Sequence, residues 1–392
     1  MPDKTRAKLG IVGYGSMGSN HARSMAKLEN VDFVAVCDLE AEKLDEAKQA
    51  YGVAVYADYN EMLAKEDLDG IVIATPHYDH VPISIAAFEA GVSVLVEKPL
   101  AADIAGGRKM VAAYEAGKAQ HPDLLFAAMF QQRTYGHWRK IKELIDQGAL
   151  GKLIRATYII TNWFRTQTYF DSGGWRATWS GEGGGVLLNQ CPHNIDIFQW
   201  LVGMPSRVTA FTSLGKYHNI EVEDEVTAYM EFDNGMIGHL ITSTGEAPGS
   251  DRLEIVGENG KLIFENGKLT FFRTKESVLD LIANSPERFL HVEHDIEEIT
   301  YPEPTTGNHI GIIENFADAL LNGTDVIVPA PEGIGSLELA NVILLSSLDK
   351  RTIDLPLDGE AYTRKLQELI DNSKFVKPDV KSVDDDMSKS FQ

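Results

Sequence analysis

The sequence predicts an α/β protein with two domains, the first built on a parallel sheet and the second on a mostly antiparallel one. Three features of the 392-residue chain support this prediction. A glycine-rich turn follows the first strand, strands alternate with helices as far as residue 132, and consecutive strands and turns follow residue 210. Alternation predicts parallel pairing through helical crossovers, whereas a run of strands predicts antiparallel pairing. The length also exceeds that of one ordinary hydrophobic core.

The glycine-rich turn predicts a Rossmann dinucleotide-binding unit. An apolar strand runs into the turn, a helix follows from about residue 19 to 27, and the next strand ends at Asp38, twenty residues beyond Gly18. The glycines allow a tight turn, a close approach of backbone to a pyrophosphate, and close packing of helix on strand. A simple tight turn without a nucleotide is the alternative. The candidate cofactor-binding residues of the turn are Gly13, Tyr14, Gly15, Ser16, Met17 and Gly18.

Asp38 indicates which nicotinamide cofactor the turn would hold. A carboxylate at this strand end accepts hydrogen bonds from the adenosine ribose hydroxyls and repels a 2′-phosphate. No arginine follows directly in Leu39, Glu40 and Ala41. The sequence therefore favours NAD over NADP.

The alternation continues through the rest of the first domain. Helices are predicted over residues 41–51, 59–64, 80–90 and 104–119, and strands over 54–56, 70–76, 93–97 and 124–130. The carboxyl ends of such strands form the ligand crevice of open α/β sheets. The strand-end residues Thr75, Pro76, His77, His80, Glu97 and Lys98 are therefore further candidates for contact with the cofactor.

Lys98 is also a candidate catalytic residue. At a strand end beside the cofactor, a lysine can hydrogen-bond a substrate hydroxyl and favour its alkoxide, or polarise a carbonyl in the reverse direction. Pro99 restricts Lys98 to an extended backbone, which directs its side chain. The alternative is a solvated surface lysine.

A second group of polar residues follows the glycines at 183–185. Residues 186–201 are predicted to form one apolar helix, on which Asn189, His193 and Asp196 would share a face. A histidine between an amide and a carboxylate can handle protons, because imidazole titrates near neutrality. A buried polar cluster that only satisfies its own hydrogen bonds is the alternative.

The second domain begins near residue 133 and is predicted to extend to residue 378. Strands are predicted over 152–161, 208–215, 224–232, 236–243, 253–256, 260–264 and 268–272, and helices over 137–147, 309–321, 333–348 and 361–371. Asp233-Asn234-Gly235 predicts a hairpin turn between two of the strands. The polar residues 379–392 are expected to form a poorly ordered tail.

The segment from 162 to 179 holds three of the five tryptophans of the chain and is a candidate substrate site. Aromatic faces pack on sugar rings, and arginines bind hydroxyls or carboxylates through a planar fork of donors. Packing of the domain or of a subunit interface is the alternative. The candidate substrate-binding residues are Trp163, Arg165, Tyr169, Trp175 and Arg176, together with Lys98, Asn189 and His193.

Composition excludes several partners. The formal net charge is −22 and the sequence pI is near 4.9, so nucleic acid and anionic membrane surfaces would be repelled. No apolar run approaches the ~20 residues that span a bilayer, and no signal peptide precedes the first strand, so a cytoplasmic location is expected. Cys37 and Cys191 have no metal-ligand spacing, and no metal site is expected.

Taken together, the motif Gly13-Tyr-Gly-Ser-Met-Gly18, Asp38, Glu97-Lys98-Pro99 and the segment 183–196 resemble the glucose–fructose oxidoreductase and inositol dehydrogenase family. The segments 315–323 and 331–335 fit the same resemblance, which covers nearly the whole chain. It implies an N-terminal Rossmann domain and a C-terminal α/β domain with a large, open, mostly antiparallel sheet. It further implies homodimers or homotetramers formed through the open face of that sheet.

The resemblance also implies residue roles. Lys98 matches the catalytic lysine of the family, His193 its acid/base and Asp196 a recurrent acidic position. Asn189 departs from the family, which usually has an aspartate there. An amide cannot accept a proton or add charge, so Asn189 is assigned to substrate binding, and the pKa of His193 is expected to be lower without the carboxylate.

The expected function is NAD-dependent hydride transfer to or from a secondary hydroxyl of a sugar, glycoside or cyclitol, with Lys98 and His193 managing the proton. Two alternatives remain open. Tightly held NAD could oxidise a glycoside transiently and restore the hydride, with no net redox change. Alternatively, the protein could be a non-catalytic NAD-binding sensor, because Asn189 departs from the family.

Overall fold

The computed structural model describes residues 5–304 and 306–378. The predicted tail at 379–392 lies outside the described residues. In the first domain, six strands form one parallel sheet in the order β3-β2-β1-β4-β5-β6, so the predicted alternation is confirmed. The strands are β1 (Ala7–Val12), β2 (Val31–Cys37), β3 (Ala54–Tyr56), β4 (Gly70–Ile73), β5 (Ser93–Val96) and β6 (Phe126–Ala128).

Helices cross between these strands because each buries an apolar side against the sheet. They are α1 (Ser16–Met25), α2 (Ala41–Tyr51), α3 (Tyr59–Lys65), α4 (His80–Glu89) and α5 (Ile104–Lys118). The strand order reverses between β1 and β4, and this switch point places the ends of β1, β4 and β5 along one crevice. Cys37 at the end of β2 is a buried free thiol, and burial raises its pKa to about 12.

The second domain contains a nine-stranded sheet in the order β14-β13-β12-β11-β7-β10-β9-β8-β15. All pairs are antiparallel except β7 with β10, which confirms the prediction of a mostly antiparallel sheet. Its strands are β7 (Leu153–Ile160), β8 (Arg207–Leu214), β9 (Glu223–Glu231), β10 (Ile237–Ser243), β11 (Asp251–Gly257), β12 (Gly260–Glu265), β13 (Lys268–Thr274), β14 (His294–Ile299) and β15 (Ile353–Asp354).

One face of this sheet is covered by helices and the other is open. On β8, Val208 and Ala210 are buried against α11 (Ala330–Asp349), whereas Phe211 points away and is 74% exposed. Alternation of side chains along each strand separates the two faces in this way. The remaining helices are α6 (Gly136–Asp146), α7 (Gln167–Asp171), α8 (Pro192–Val202), α9 (Val278–Asn284), α10 (Asn308–Asn322) and α12 (Gly359–Asn372).

Two late helices return to the first domain. Helix α10 packs on α1 and β1, and α11 packs on α5 of the first domain as well as on α8 of the second. The described helices include none that is long and apolar enough to cross a membrane.

The predicted helix over 186–201 is wrong at its start. Residues 186–190 form turns, and α8 begins only at Pro192. A proline inside a helix lacks the N–H for the i−4 hydrogen bond and clashes with the carbonyl of residue i−4. Residues of the first turn have no such partner, so proline is tolerated there. Asn189 therefore lies before the helix that carries His193.

Candidate active site

The glycine-rich turn between β1 and α1 has the shape of an anion cradle. Gly13 has φ +92°, and a Cβ there would lie 2.7 Å from the carbonyl oxygen of Ala74. A Cβ on Gly18 would lie 1.9 Å from the oxygen of Gly13, so Gly18 allows the turn to close. A Cβ on Gly15 would meet nothing within 4 Å, which leaves open space beside the N-terminus of α1. Free N–H groups at that terminus suit a pyrophosphate.

Two further residues fit a nucleotide in this crevice. Each oxygen of the Asp38 carboxylate accepts one backbone hydrogen bond, from Tyr14 at 2.6 Å and from Glu40 at 2.9 Å. Lone pairs remain on both oxygens for ribose hydroxyls. Thr75 lies just after β4, beside Gly13. Its hydroxyl is buried and has no hydrogen-bond partner among the described residues.

His80 does not line the crevice as predicted. It is fully buried, and its two ring nitrogens lie 2.9 Å from the carbonyl oxygens of Pro99 and Thr75. Both nitrogens are therefore occupied by backbone, and the ring ties together the loops that follow β4 and β5. His77 is also buried, with Nδ1 at 2.9 Å from the carbonyl oxygen of Glu182 in the second domain. Burial lowers the pKa of His77 to about 3.

Glu97 faces into the first domain. Its Oε1 lies 2.7 Å from Nε2 of His21 on α1, and its Oε2 accepts the backbone N–H of Lys98 at 3.0 Å. Burial works to raise the pKa of Glu97, but the hydrogen bond and charge of His21, with the charges of His309 and Lys98, hold it at about 2. The buried carboxylate thus links the nucleotide helix to the residue before the cis peptide bond of Pro99.

Lys98 reaches across the domain boundary. Its Nζ donates to the carbonyl oxygen of Asn189 at 2.8 Å. Burial lowers the pKa of Lys98, and the charges of Glu97 and Glu182 act in the opposite direction. The alternative of a solvated surface lysine is therefore wrong.

His193 lies in the first turn of α8 and is 4% exposed. Its Nε2 is 3.3 Å from the amide nitrogen of Gln131, and the Phe130 ring meets it edge-on at 5.9 Å. Nδ1 is buried without a hydrogen-bond partner among the described residues. Burial, followed by the charge of Lys98, lowers the pKa of His193 well below its usual value.

Asp196 does not orient His193, contrary to the arrangement predicted for the helix face. Its two carboxylate oxygens accept hydrogen bonds from Nε and Nη2 of Arg133, both at 2.7 Å. Both side chains are almost completely buried. The pair anchors α8 to the segment that joins the two domains. Arg133 also forms an ion pair with Glu332 at the start of α11.

Asn189 is held from two sides. Its Nδ2 donates to the carboxylate of Glu182, and its Oδ1 accepts from the Tyr169 hydroxyl at 3.3 Å. Glu182 is 2% exposed, and burial raises its pKa against the opposing charge of Arg176. The amide thus lies between a buried carboxylate and a tyrosine of the substrate segment.

The predicted substrate residues gather around Asn189. The Arg165 and Arg176 guanidinium groups both stack on Tyr169, at 5.1 and 4.7 Å from its ring centre. Arg165 also stacks on Trp163 at 5.3 Å, and Arg176 on Trp175 at 4.9 Å. Trp179, in contrast, is buried in the core at 3% exposure and does not line the site.

The Trp175 ring meets His77 edge-on at 5.8 Å, which brings the segment against the first domain. Predicted residues of the two domains, among them His77, Lys98 and Trp175, are therefore in contact at the domain boundary.

Four polar residues of the site were missed in the sequence: His21, Gln131, Arg133 and Glu182. His21 and Glu97 are 76 positions apart, and Arg133 and Asp196 are 63 apart, so no local pattern joins them. Glu182 directly precedes the glycines at 183–185, and this position was the one available signal. Among the described residues, no cluster of histidine, cysteine and acidic side chains could hold a metal ion.

Comparisons with known proteins agree with this architecture. Residues 7–121 match the oxidoreductase family with an NAD-binding Rossmann fold, and residues 138–263 match the GFO/IDH/MocA C-terminal domain. Levoglucosan dehydrogenase of Pseudarthrobacter phenanthrenivorans is 26% identical, over 89% of this chain and 98% of that protein. Myo-inositol 2-dehydrogenase of Thermotoga maritima is 22% identical, with the same two coverages.

Solved structures give the same result. The WlbA dehydrogenase from Bordetella pertussis, in complex with NADH and UDP-GlcNAcA, superposes with a TM-score of 0.75 and is 27% identical. The alignment covers 90% of this chain and 100% of that one. The first domain is thus an NAD-binding Rossmann domain, and the chain belongs to the GFO/IDH/MocA family of oxidoreductases.

Proposed function

We propose that this protein is an NAD-dependent dehydrogenase or reductase that acts on a secondary hydroxyl or ketone of a sugar, glycoside or cyclitol. One observation carries the proposal. Lys98, at the end of a strand of the NAD-binding sheet, donates to the backbone of Asn189, close to His193 and to the aromatic and arginine residues at 163–176. The named relatives act on levoglucosan and myo-inositol, whose reacting groups are of this kind.

The first domain would bind the cofactor, which supplies the hydride acceptor when it is bound. The backbone around Gly15 and the N-terminus of α1 would receive the pyrophosphate, and Asp38 the adenosine ribose. Of these features, the Asp38 carboxylate favours NAD over NADP.

Lys98 and His193 would handle the proton of the substrate hydroxyl. The ammonium group of Lys98 can hold the oxygen and stabilise negative charge that develops on it. His193 is neutral near pH 7 because its pKa is lowered, so its imidazole can take part in proton transfer with the substrate hydroxyl during oxidation. In reduction the same groups return the proton to the alkoxide.

The segment between β7 and α8 would hold the substrate ring. Trp163, Tyr169 and Trp175 offer aromatic faces, and the stacked guanidinium groups of Arg165 and Arg176 offer donors in fixed planes. Asn189 presents its Oδ1 on the same side, where it can accept a hydrogen bond from a sugar hydroxyl.

Outside the cleft, a second copy of the chain would cover the open face of the large sheet. Phe211 and Tyr229 lie on that face and are 74% and 38% exposed, which is costly for large apolar side chains. A homodimer or homotetramer would bury them. The two buried free cysteines fit a reducing compartment, and we propose a cytoplasmic location.

The test is turnover of a panel of sugars, glycosides and inositols by the purified protein with NAD and with NADP. We expect reduction of NAD with at least one class of polyol. Conversion of a glycoside without accumulation of NADH would instead support transient oxidation. Tight binding of NADH with no conversion of any panel member would contradict the enzyme and favour a sensor.

A further inference from the structure

We propose that Glu182 is a positioning residue of the catalytic centre, which fixes the Asn189 amide and supplies the negative charge that Asn189 lacks. The proposal rests on the proposed function, because it assigns a role in the same site. Glu182 is the carboxylate in direct contact with the Asn189 side chain, and the two residues lie seven positions apart in the turns before α8.

Hydrogen-bond chemistry leaves one orientation for the amide. The Tyr169 hydroxyl accepts from Nη1 of Arg176 at 2.9 Å and from Nε2 of Gln190 at 3.2 Å. Both lone pairs are then occupied, so its hydrogen points to Oδ1 of Asn189 at 3.3 Å. An ionised Glu182 can only accept, so Nδ2 of Asn189 must face it. The result is an acceptor oxygen held toward the substrate segment.

Glu182 is itself rigidly placed. Its Oε2 accepts the backbone N–H of Ala177 at 2.5 Å, in a residue with φ +55°. The backbone carbonyl oxygen of Glu182 lies 2.9 Å from Nδ1 of His77, so the Glu182 backbone contacts the first domain. At 2% exposure the carboxylate is shielded from solvent, where its field on nearby charges is strong.

The charge of Glu182 acts on the centre without touching the substrate. It contacts the Asn189 side chain and is itself only 2% exposed. It raises the pKa of Lys98, in opposition to burial and to Arg176, and therefore favours the ammonium form. A carboxylate directly in position 189 would contact Glu182, and two carboxylates at hydrogen-bond distance repel each other. The asparagine is therefore the partner that Glu182 requires.

The experiment exchanges the two functional groups. Four proteins are compared: the natural chain, Glu182→Gln, Asn189→Asp, and the double variant that carries both substitutions. The readouts are kcat, KM and the pH profile on the best substrate of the panel, and the Kd of NADH. We expect each single variant to lose about 100-fold in kcat with little change in NADH affinity, because the reacting groups are misplaced.

In the double variant one carboxylate and one amide again face each other. We expect it to recover to within about tenfold of the natural kcat, so that the two substitutions are strongly coupled. A side chain with a merely structural role would not give this recovery together with a shifted pH profile. Full activity of Glu182→Gln, or a double variant no better than the poorer single variant, would overturn the proposal.

A readout without turnover separates this proposal from the proposed function. In Asn189→Asp the facing carboxyls have raised pKa values in the folded state, so its stability should fall as pH rises above their unfolded pKa of about 4. The double variant, which again has one carboxyl at this contact, should lose no more stability over this range than the natural protein. If no panel substrate is converted but this pH dependence appears, the contact stands and the enzymatic proposal fails. Absence of the pH dependence would overturn the contact itself.

Discussion

Arg133 and Asp196 join the segment between the two domains to the helix that carries His193. Two hydrogen bonds of 2.7 Å connect the guanidinium to the carboxylate, and neither side chain is more than 1% exposed. The opposing charge of Arg133 works against the effect of burial on the pKa of Asp196. The pair thus fixes the start of α8 relative to Gln131, which contacts His193.

Removal of one partner should therefore be costly. We expect Arg133→Met to lose about 3–5 kcal/mol in the free energy of unfolding, because Asp196 is left as a buried, unpaired charge. The double variant with Asp196→Leu should regain most of this loss. Denaturant unfolding of the three proteins measures both values. A loss of less than about 1 kcal/mol in Arg133→Met, roughly one tenth of the stability of a typical domain, would contradict the structural role of the pair.

Lys98 should matter for catalysis and little for cofactor binding. We expect Lys98→Ala to reduce kcat by about 10²–10⁴-fold, since proton handling and charge stabilisation are lost together. Steady-state kinetics and NADH titration provide the measurement. Lys109→Ala, at an exposed position on α5, serves as the control and should behave like the natural protein. Unchanged activity in Lys98→Ala would refute the proposed mechanism.

Two glycines of the nucleotide turn should respond differently to alanine. Gly15→Ala points a methyl group into open space, so the folded state should keep its melting temperature. Its NADH Kd should nevertheless rise by at least about tenfold, or about 1.4 kcal/mol, because the methyl group occupies the anion cradle. Gly18→Ala meets the oxygen of Gly13 and should lower the melting temperature instead. Normal NADH affinity in Gly15→Ala would place the cofactor elsewhere.

Acid should destabilise the protein partly through buried histidines. Burial lowers the pKa of His137 to about 4, and its ring stacks on Phe264 at 4.3 Å. A histidine with a lowered folded pKa stabilises the fold above its unfolded pKa of about 6.5, and that contribution is lost as pH falls toward 4. His137→Phe keeps the stacking and should show a shallower loss between these pH values. Thermal unfolding across this range is the measurement, and parallel curves for both proteins would contradict the assignment.

Phe211 should determine self-association. Phe211→Asp places a charge on the open face of the large sheet, so we expect a smaller oligomer by light scattering after size exclusion. Ile282→Asp, on α9 and 80% exposed in the natural protein, is the matched control and should leave the oligomer unchanged. An identical mass for Phe211→Asp and the natural protein would exclude this face as the interface.

The sequence alone determined the features that depend on local order. The spacing of Gly13, Gly15 and Gly18, the alternation of strands and helices, and the position of Lys98 at a strand end follow from backbone geometry and side-chain periodicity. The apolar run 186–201 predicted a longer helix than the one that begins at Pro192. The charged edge strand β14 was not predicted, because its exposed acidic residues lack an apolar alternation.

Only the tertiary structure decided the partners of the buried polar groups. Asp196 pairs with Arg133 and not with His193. The ring nitrogens of His80 contact the backbone carbonyl oxygens of Pro99 and Thr75. Asn189 meets Glu182 because turns, and not a helix, precede Pro192. Burial makes an unpaired charge costly, and the buried carboxylates of Glu97, Glu182 and Asp196 each pair with a group that the fold brings close. That choice depends on contacts between distant parts of the chain, which no local pattern records.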